Sequence, residues 1–514
     1  MWPAVTKLAI VSVLLVRLTD HRASADDEIA VTELIDRHIQ ARLDLEHVER
    51  APQADDAEFL RRVFLDLHGV VPSADRGVAF LDSTDHNKRR ELIEELLASP
   101  RFGEHFADIW RRRLMSPVED EQAGKSDRFA KWIADRFNRN VGWNSVTYDL
   151  LTATGTVDQN PAVTYLIEGR NPRGVTDLTD LASRHFLGIR LNCAQCHDHP
   201  FAKWTRENYW GMAAFFAQIQ TPGRAKKVHV AGVQDDPRIT LSSLAAADMV
   251  DGFLSRPPTF LTGEEAQTAN TTSHRQALAA WITSPDNRYF ARAAVNRMWW
   301  HVFGRGIVNP VDEMHSGNST LHPELLDAPS QRFVESGFNL KFLCRAILNS
   351  RTYQQTSRPG KDADPRRAAE LFARMSIKVL SAEQLYDSLV EILGPPTRDK
   401  DRSGGRSEFV QFIADDPDRD PTRYERGIPQ LLRLMNSPQF AGKNVSALLS
   451  RIATSDRSAD EVADELFVAI LARRPTAAER QLVHDQMGDN RPIQTAYREL
   501  AWALLMSSEF SLNH

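Results

Sequence analysis

Apolar residues recur at one-turn spacing along most of the chain. Phe59, Leu60, Val63, Phe64 and Leu67 fall on one helical face, as do Leu92, Ile93, Leu96 and Leu97. The same spacing groups Leu278, Trp281 and Ile282, then Val295, Met298 and Trp299, then the run from Leu466 to Leu471. Such stripes predict core helices, so the expected fold class is mainly α.

One local device joins these helices. Leu97-Ala98-Ser99-Pro100-Arg101-Phe102 closes one periodic run and opens the next, and Met435-Asn436-Ser437-Pro438-Gln439-Phe440 repeats the form. Leu348-Asn349-Ser350-Arg351-Thr352-Tyr353 and Leu505-Met506-Ser507-Ser508-Glu509-Phe510 are relatives of it. Serine can accept from the free N–H groups of the next helix, proline suits the first helical position, and the aromatic packs the junction. Val71-Pro72-Ser73-Ala74 and Arg474-Pro475-Thr476-Ala477 follow the same logic.

Two stretches break the pattern. Residues 221–256 hold Val228-His229-Val230 and Arg238-Ile239-Thr240-Leu241, short β-like pieces that predict a hairpin or irregular excursion. Residues 396–427 are crowded with Arg, Asp, Gly and Pro and predict a loop or flap. The expected architecture is two helical domains, 28–220 and 259–514, joined by an irregular connector with short β pieces at 221–258.

Composition narrows the class. At 514 residues the chain has room for two or three domains. Hydrophobic residues at 42% and charged residues at 26% are an ordinary globular balance. A net charge of -6 argues against a nucleic-acid binder, which would be basic. At the start, Lys7 precedes the apolar run Leu8 to Val16, and Ala23-Ser24-Ala25 offers a small-x-small cleavage site. Residues 1–25 therefore read as a secretory signal peptide cut near Ala25, with an uncleaved anchor as the alternative. The run is shorter than the roughly 20 residues that span a bilayer. No other such run occurs, so a mature chain without a transmembrane segment is expected, exported to the periplasm or cell surface.

With three cysteines the chain is no disulfide scaffold. Cys344 sits in an apolar helical pattern and reads as a core thiol. The other two belong to Cys193-Ala194-Gln195-Cys196-His197-Asp198-His199-Pro200-Phe201. Cys-x-x-Cys-His is the form of a c-type haem attachment site: two thioethers fix the ring and the following histidine ligates iron. The leading expectation is covalent haem c on Cys193, Cys196 and His197. Met212, His185 and His199 are candidates for the sixth ligand, with His229 and Met314 further off. Three other readings stand beside haem: a redox dithiol, a site for zinc or another soft metal using His199 as well, and a structural turn holding no cofactor. Trp204, Tyr209, Trp210, Phe215 and Phe216 either wall a haem pocket or pack the core. Asp198 either orients a ligating histidine or caps a turn.

A second polar group comprises Arg297, Trp300, His301, Arg305, Asp312, Glu313, His315, Asn318 and His322. Asp312, His315 and His322 could serve a metal-assisted hydrolase. The favoured reading is a buried polar network at a helix crossing eased by Gly304, Gly306 and Gly317. No nucleophile elbow, Walker loop or dinucleotide fingerprint occurs. The pairs Asp55-Asp56 and Asp415-Asp416 read as solvated surface. These residues leave open whether the protein is an enzyme.

Residues 28–220 resemble the planctomycete cytochrome-like domain of unknown function. The likeness rests on Asp56-Ala57-Glu58-Phe59-Leu60-Arg61-Arg62-Val63-Phe64-Leu65-Asp66-Leu67-His68-Gly69, on Leu96 to Glu104, and on Cys193 to Phe201. Residues from about 260 to 514 resemble the planctomycete-specific domain that usually follows, through Asn296-Arg297-Met298-Trp299, Phe303-Gly304-Arg305-Gly306, Asn309-Pro310-Val311-Asp312, His322-Pro323-Glu324-Leu325-Leu326 and Asn349-Ser350-Arg351-Thr352-Tyr353. The resemblance implies an exported protein with a redox partner or polysaccharide-handling partners. It names no activity. Only one Cys-x-x-Cys-His is present, which argues against a chain of several haem centres here. The alternative function is a non-redox extracytoplasmic binding or scaffold protein.

Overall fold

A computed structural model describes residues 25–115, 123–169, 174–222, 231–244, 256–267, 273–358, 364–394, 404–413, 420–423, 448–450, 452, 457–487 and 492–514. The residues before Ala25 expected to form a signal peptide, the Val228–Val230 piece with His229, the Met435–Phe440 joint and Asp415-Asp416 lie outside these residues.

The apolar stripes form the helices they predict. In chain order these are α1 (Ala25–Glu46), α2 (Asp56–Leu67), α3 (Ala74–Asp82), α4 (Lys88–Ala98), α5 (Pro100–Leu114), α6 (Ala123–Asn138) and α7 (Trp143–Thr152). Next come α8 (Val163–Gly169), α9 (Val175–Leu187), α10 (Arg206–Ala214), α11 (His274–Ile282), α12 (Arg288–Phe303) and α13 (Pro323–Glu335). The described chain ends with α14 (Leu340–Leu348), α15 (Pro365–Glu370), α16 (Ala382–Leu393), α17 (Gly404–Ile413), α18 (Ala459–Leu471), α19 (Ala477–Met487) and α20 (Ile493–Leu505). The fold is mainly α, and no described helix is long and apolar enough to cross a membrane.

The joints work as their chemistry dictates at several places. Ser99 caps α5 ahead of Pro100, its Oγ accepting from Arg101 N at 3.3 Å, and Ser73 caps α3. Thr476 accepts from Glu479 N at 3.3 Å at the head of α19. Two relatives do not open helices. Ser350 and Ser507 each accept from the aromatic three residues on, Tyr353 N at 3.1 Å and Phe510 N at 3.2 Å, and close turns instead. Asp55 is no idle surface charge, because it caps α2 through Glu58 N at 2.9 Å.

The irregular stretches differ from expectation in detail. Among the described residues of 221–256, Gly232–Asp235 is a strand, which pairs antiparallel with both Gly155–Thr156 and Ile219–Gln220. Arg238–Thr240 is not extended, because Asp236 Oδ1 accepts from Arg238 N at 3.0 Å and turns the chain into a 3-10 segment at Leu241–Leu244. Within 396–427, expected as loop, Gly404–Ile413 is helix, with Phe409 and Ile413 buried.

One apolar core takes in side chains from Val31 to Ala472, including Ala231, Val233 and Leu241 of the connector. A second gathers residues from Leu380 to Phe510 and adds Leu65 and Val71. Helix α2 touches both and buries charge between them. Arg61 donates to Ile470 O at 3.2 Å, Phe510 O at 2.8 Å and Leu512 O at 3.1 Å. Arg62 donates to Tyr353 O at 2.8 Å and to Glu58 Oε1 at 2.5 Å. Asp66 accepts from Lys378 Nζ at 2.6 Å, Asn513 Nδ2 at 2.8 Å and Tyr353 Oη at 3.0 Å. Lys378 and Asn513 belong to a two-stranded antiparallel pair, Lys378–Val379 with Leu512–Asn513. The polar positions of the Phe59–Gly69 stretch thus hold the closing segment against the first half of the chain.

Candidate functional site

The Cys-x-x-Cys-His turn begins where α9 stops. Gly188 adopts φ +66, and its N–H and that of Ile189 return to Arg184 O and Ser183 O at 3.2 and 3.1 Å. Residues Asn192–Gln195 then form one 3-10 turn. With three residues per turn, positions three apart share a face. Leu191 and Ala194 accordingly point into the core, and Cys193 and Cys196 are both exposed and unpaired. The turn is tied down by Trp210 Nε1, which donates to Gln195 O at 3.3 Å.

His197 follows at the surface. Its Nδ1 lies 2.8 Å from Asp198 O. A carbonyl oxygen only accepts, so Nδ1 carries the proton and the neutral ring keeps its lone pair on Nε2. Asp198 does cap: its Oδ1 accepts from Arg206 N at 3.0 Å, at the start of α10. The same residue therefore orients His197 through its carbonyl and anchors the loop through its carboxylate.

His199 is held the opposite way round. Its Nδ1 accepts from Phe201 N at 3.2 Å and Ala202 N at 3.1 Å, which places the proton of the neutral ring on Nε2. Phe201 itself is 74% exposed. The His199 ring lies 5.8 Å from that of His315, whose Nδ1 accepts from Gly317 N at 3.1 Å. Burial lowers the pKa of His199, and His315 adds to the effect. A short antiparallel bridge, Ile189 to Glu313, and Met314 N donating to Gly188 O at 3.0 Å hold the two loops together.

The other sixth-ligand candidates sit elsewhere. Met212 is fully buried on α10. His185 is 1% exposed, and neither ring nitrogen has a hydrogen-bond partner among the described residues. Its pKa lies well below the ordinary value, through burial first and then Arg297, Arg184 and Arg113. Trp204, Tyr209, Trp210, Phe215 and Phe216 are all core side chains.

The second polar group does not converge. Arg297 and Asp312 form a buried ion pair, and Arg297 also reaches Arg184 O at 3.3 Å. His315 is at the surface beside His199. His322 Nε2 faces Glu370 O at 3.3 Å, and burial pushes its pKa down to about 4. His301 donates from Nε2 to Asp66 O at 2.9 Å. Of the three glycines, Gly304 has the positive φ, +74, and ends α12. At Gly306 and Gly317 a Cβ would collide with Val308 O and Phe201 O respectively, so both serve close approach of backbone. Among the described residues, no group of three or more His, Cys, Asp or Glu is arranged to hold a metal ion.

Sequence reasoning missed a cavity of about 130 Å³ between α5, α12 and the Lys378–Val379 strand. His105, Arg113, Trp300 and Lys378 line it, and nothing in their spacing links them.

A mainly helical chain with a surface Cys-x-x-Cys-His turn is the class these features define. Residues 34–221 match PSCyt2, described as a protein of unknown function (DUF1549), and residues 274–427 match PSD1, likewise of unknown function (DUF1553). The two matches follow one another along the chain, PSCyt2 ahead of PSD1. Comparison with curated proteins and with solved structures gave no match.

Proposed function

We propose that this protein is an exported c-type haem protein that transfers electrons or supports a haem-dependent oxidation. Cys193 and Cys196 would form the thioethers and His197 would ligate iron. The observation that carries this reading is the state of His197. Its Nδ1–H is committed to Asp198 O, which leaves the lone pair on Nε2, and the two cysteines that precede it in the chain are exposed and unpaired. Metal-bound histidines are commonly oriented in this way by a carbonyl behind the ring. Haem would supply a one-electron couple there.

The remaining residues of the loop hold this donor set in place. Trp210 pins the peptide between Gln195 and Cys196, and the carboxylate of Asp198 anchors the residue whose carbonyl oxygen accepts from His197 Nδ1. His199 would serve as an iron ligand through Nε2 only by moving its proton to Nδ1, against the two N–H groups already donated there. Export to the periplasm or cell surface, a redox protein as partner and a link to polysaccharide handling belong to the same proposal.

A second reading draws on the same exposed thiols. A dithiol or disulfide at Cys193 and Cys196 would suit a non-redox binding or scaffold protein, or a thiol-exchange partner. The test is expression in a host competent for export and haem maturation, beside a control cytochrome. Colour and haem stain that survive a denaturing gel, and that vanish in Cys193→Ala/Cys196→Ala, are the expected result. A folded, colourless protein beside a coloured control would sink the haem reading, and thiol titration would then decide for the dithiol.

A further inference from the structure

We propose that the cavity between α5, α12 and the Lys378–Val379 strand binds a small oxyanion: a carboxylate, phosphate or sulfate group. This is independent of the haem reading. The cavity measures about 130 Å³. At roughly 30 Å³ per water, that is room for about four waters or one such group with a short body.

Its walls come from both matched regions. His105 and Arg113 stand on α5, and Trp300, His301 and Lys378 face them from α12 and the strand. Cations predominate in the lining: Arg112, Arg113, Lys378 and Arg423, against the carboxylates of Asp66 and Asp420. Asp66 is committed to three donors, Lys378, Asn513 and Tyr353. Arg112 is balanced from outside the lining by Glu383, at 3.0 Å.

Arg113 has the geometry an oxyanion uses. Its guanidinium carbon lies 4.3 Å from the Trp300 ring centroid, so the indole covers a face of the cation. The N–H groups of a guanidinium lie in its plane and bind two oxygens side by side. The apolar indole also excludes water, which strengthens such bonds.

The second, independent observation is His105. This ring is 8% exposed, and its Nε2 has no hydrogen-bond partner among the described residues. A buried nitrogen left in that state is costly, and a ligand oxygen would satisfy it. The fold makes room for the ring deliberately. Gly69 has φ +70, and a Cβ there would collide with His105 Nδ1. The His301 ring stands 5.7 Å away. Burial pushes both histidines down to about 3, so each is neutral at ordinary pH: His105 can offer Nε2–H to a ligand oxygen without a charge of its own, while the single N–H of His301 is already donated to Asp66 O.

The test is isothermal titration of the full chain with sodium phosphate, sodium sulfate and sodium acetate at constant ionic strength, with glycerol as the neutral probe. Saturable binding of at least one anion, and none of glycerol, is expected. Losing a charged hydrogen bond should weaken it about tenfold or more in Arg113→Gln and several-fold in His105→Asn. Arg238→Gln, in an exposed turn, should bind as the parent does. The Cys193→Ala/Cys196→Ala variant should also bind, which separates this site from the haem proposal. Absence of saturable binding overturns the proposal, and so does binding that both cavity variants retain. Should Arg113→Gln fail to fold, the parent's imidazole ¹⁵N resonances decide. His105 Nε2 must shift on anion addition, and an unmoved resonance rejects the site.

Discussion

The imidazoles of His199 and His315 stand 5.8 Å apart, and both accept backbone N–H groups at Nδ1. Each neutral ring therefore carries its proton on Nε2. The contact joins the Cys-x-x-Cys-His loop to the loop after α12, and it adds to the lowering of the His199 pKa. Charging either ring puts a proton on Nδ1 where N–H groups already point.

The first prediction concerns that pair. His199 has a lowered pKa, chiefly from burial and next from His315. His315→Gln removes the neighbouring charge, so the His199 pKa should rise toward the ordinary histidine range while staying below it. An NMR titration of the His199 ring would measure this. No movement would mean that burial alone sets the value.

Acid should weaken the fold before the carboxylates begin to titrate. His105 and His301 are held down to about 3 and His322 to about 4, each mainly by burial. Their folded pKa values lie below the unfolded value near 6.5. Between those limits the unfolded chain binds more protons, so stability is highest above pH 6.5 and falls as pH drops toward 4. Between pH 6 and 5 each such histidine should contribute a loss of about 1 kcal/mol. Urea midpoints at pH 7, 6 and 5 would show the decline, and His301→Gln should make it shallower. A flat profile would contradict the neutral, buried assignment.

Asp66 and Lys378 form a buried pair at 2.6 Å, with Lys378 also donating to His301 O and Val302 O at 2.9 and 2.7 Å. Asp66→Ala would leave that ammonium without its counter-charge. A loss of roughly 3–5 kcal/mol is expected. Lys378→Met in the same chain should restore part of it, because the uncompensated charge is then gone. Calorimetric melting of the parent, both single variants and the double variant tests this. A double variant less stable than Asp66→Ala would refute the account.

Helices were legible where burial follows a single period. The stripes at Phe59–Leu67, Leu92–Leu97 and Leu466–Leu471 each became a helix, because an amphipathic face is a local property. The Ser99 joint was legible for the same reason. The similar joints at Ser350 and Ser507 closed turns because a capping serine can serve either backbone path, and tertiary contacts choose between them. Arg238–Leu241 carried β-formers, but the Asp236 side chain took the Arg238 N–H and turned the backbone. At the site, the exposure of Cys193 and Cys196 follows from their spacing on one turn. The meeting of His199 with His315 does not, since the two lie 116 positions apart in the chain. The cavity was hidden for that reason too: His105, His301 and Lys378 come from three distant segments.

Gly69 supports the last prediction. Its φ of +70 is a conformation that side-chain-bearing residues adopt at a cost of about 1 kcal/mol or more. A methyl there would also meet His105 Nδ1, so Gly69→Ala must strain the backbone and displace the ring together. The combined loss should be about 2–4 kcal/mol. His105→Ala removes the ring but leaves φ as it is. In the Gly69→Ala/His105→Ala double variant the steric part should vanish and the backbone part remain. The two losses should therefore sum to more than the loss in the double variant, by about 1 kcal/mol or more. Urea denaturation of the four proteins at pH 7 measures that difference. Strict additivity would mean that the ring moves aside freely, and that Gly69 is needed for its backbone angle alone.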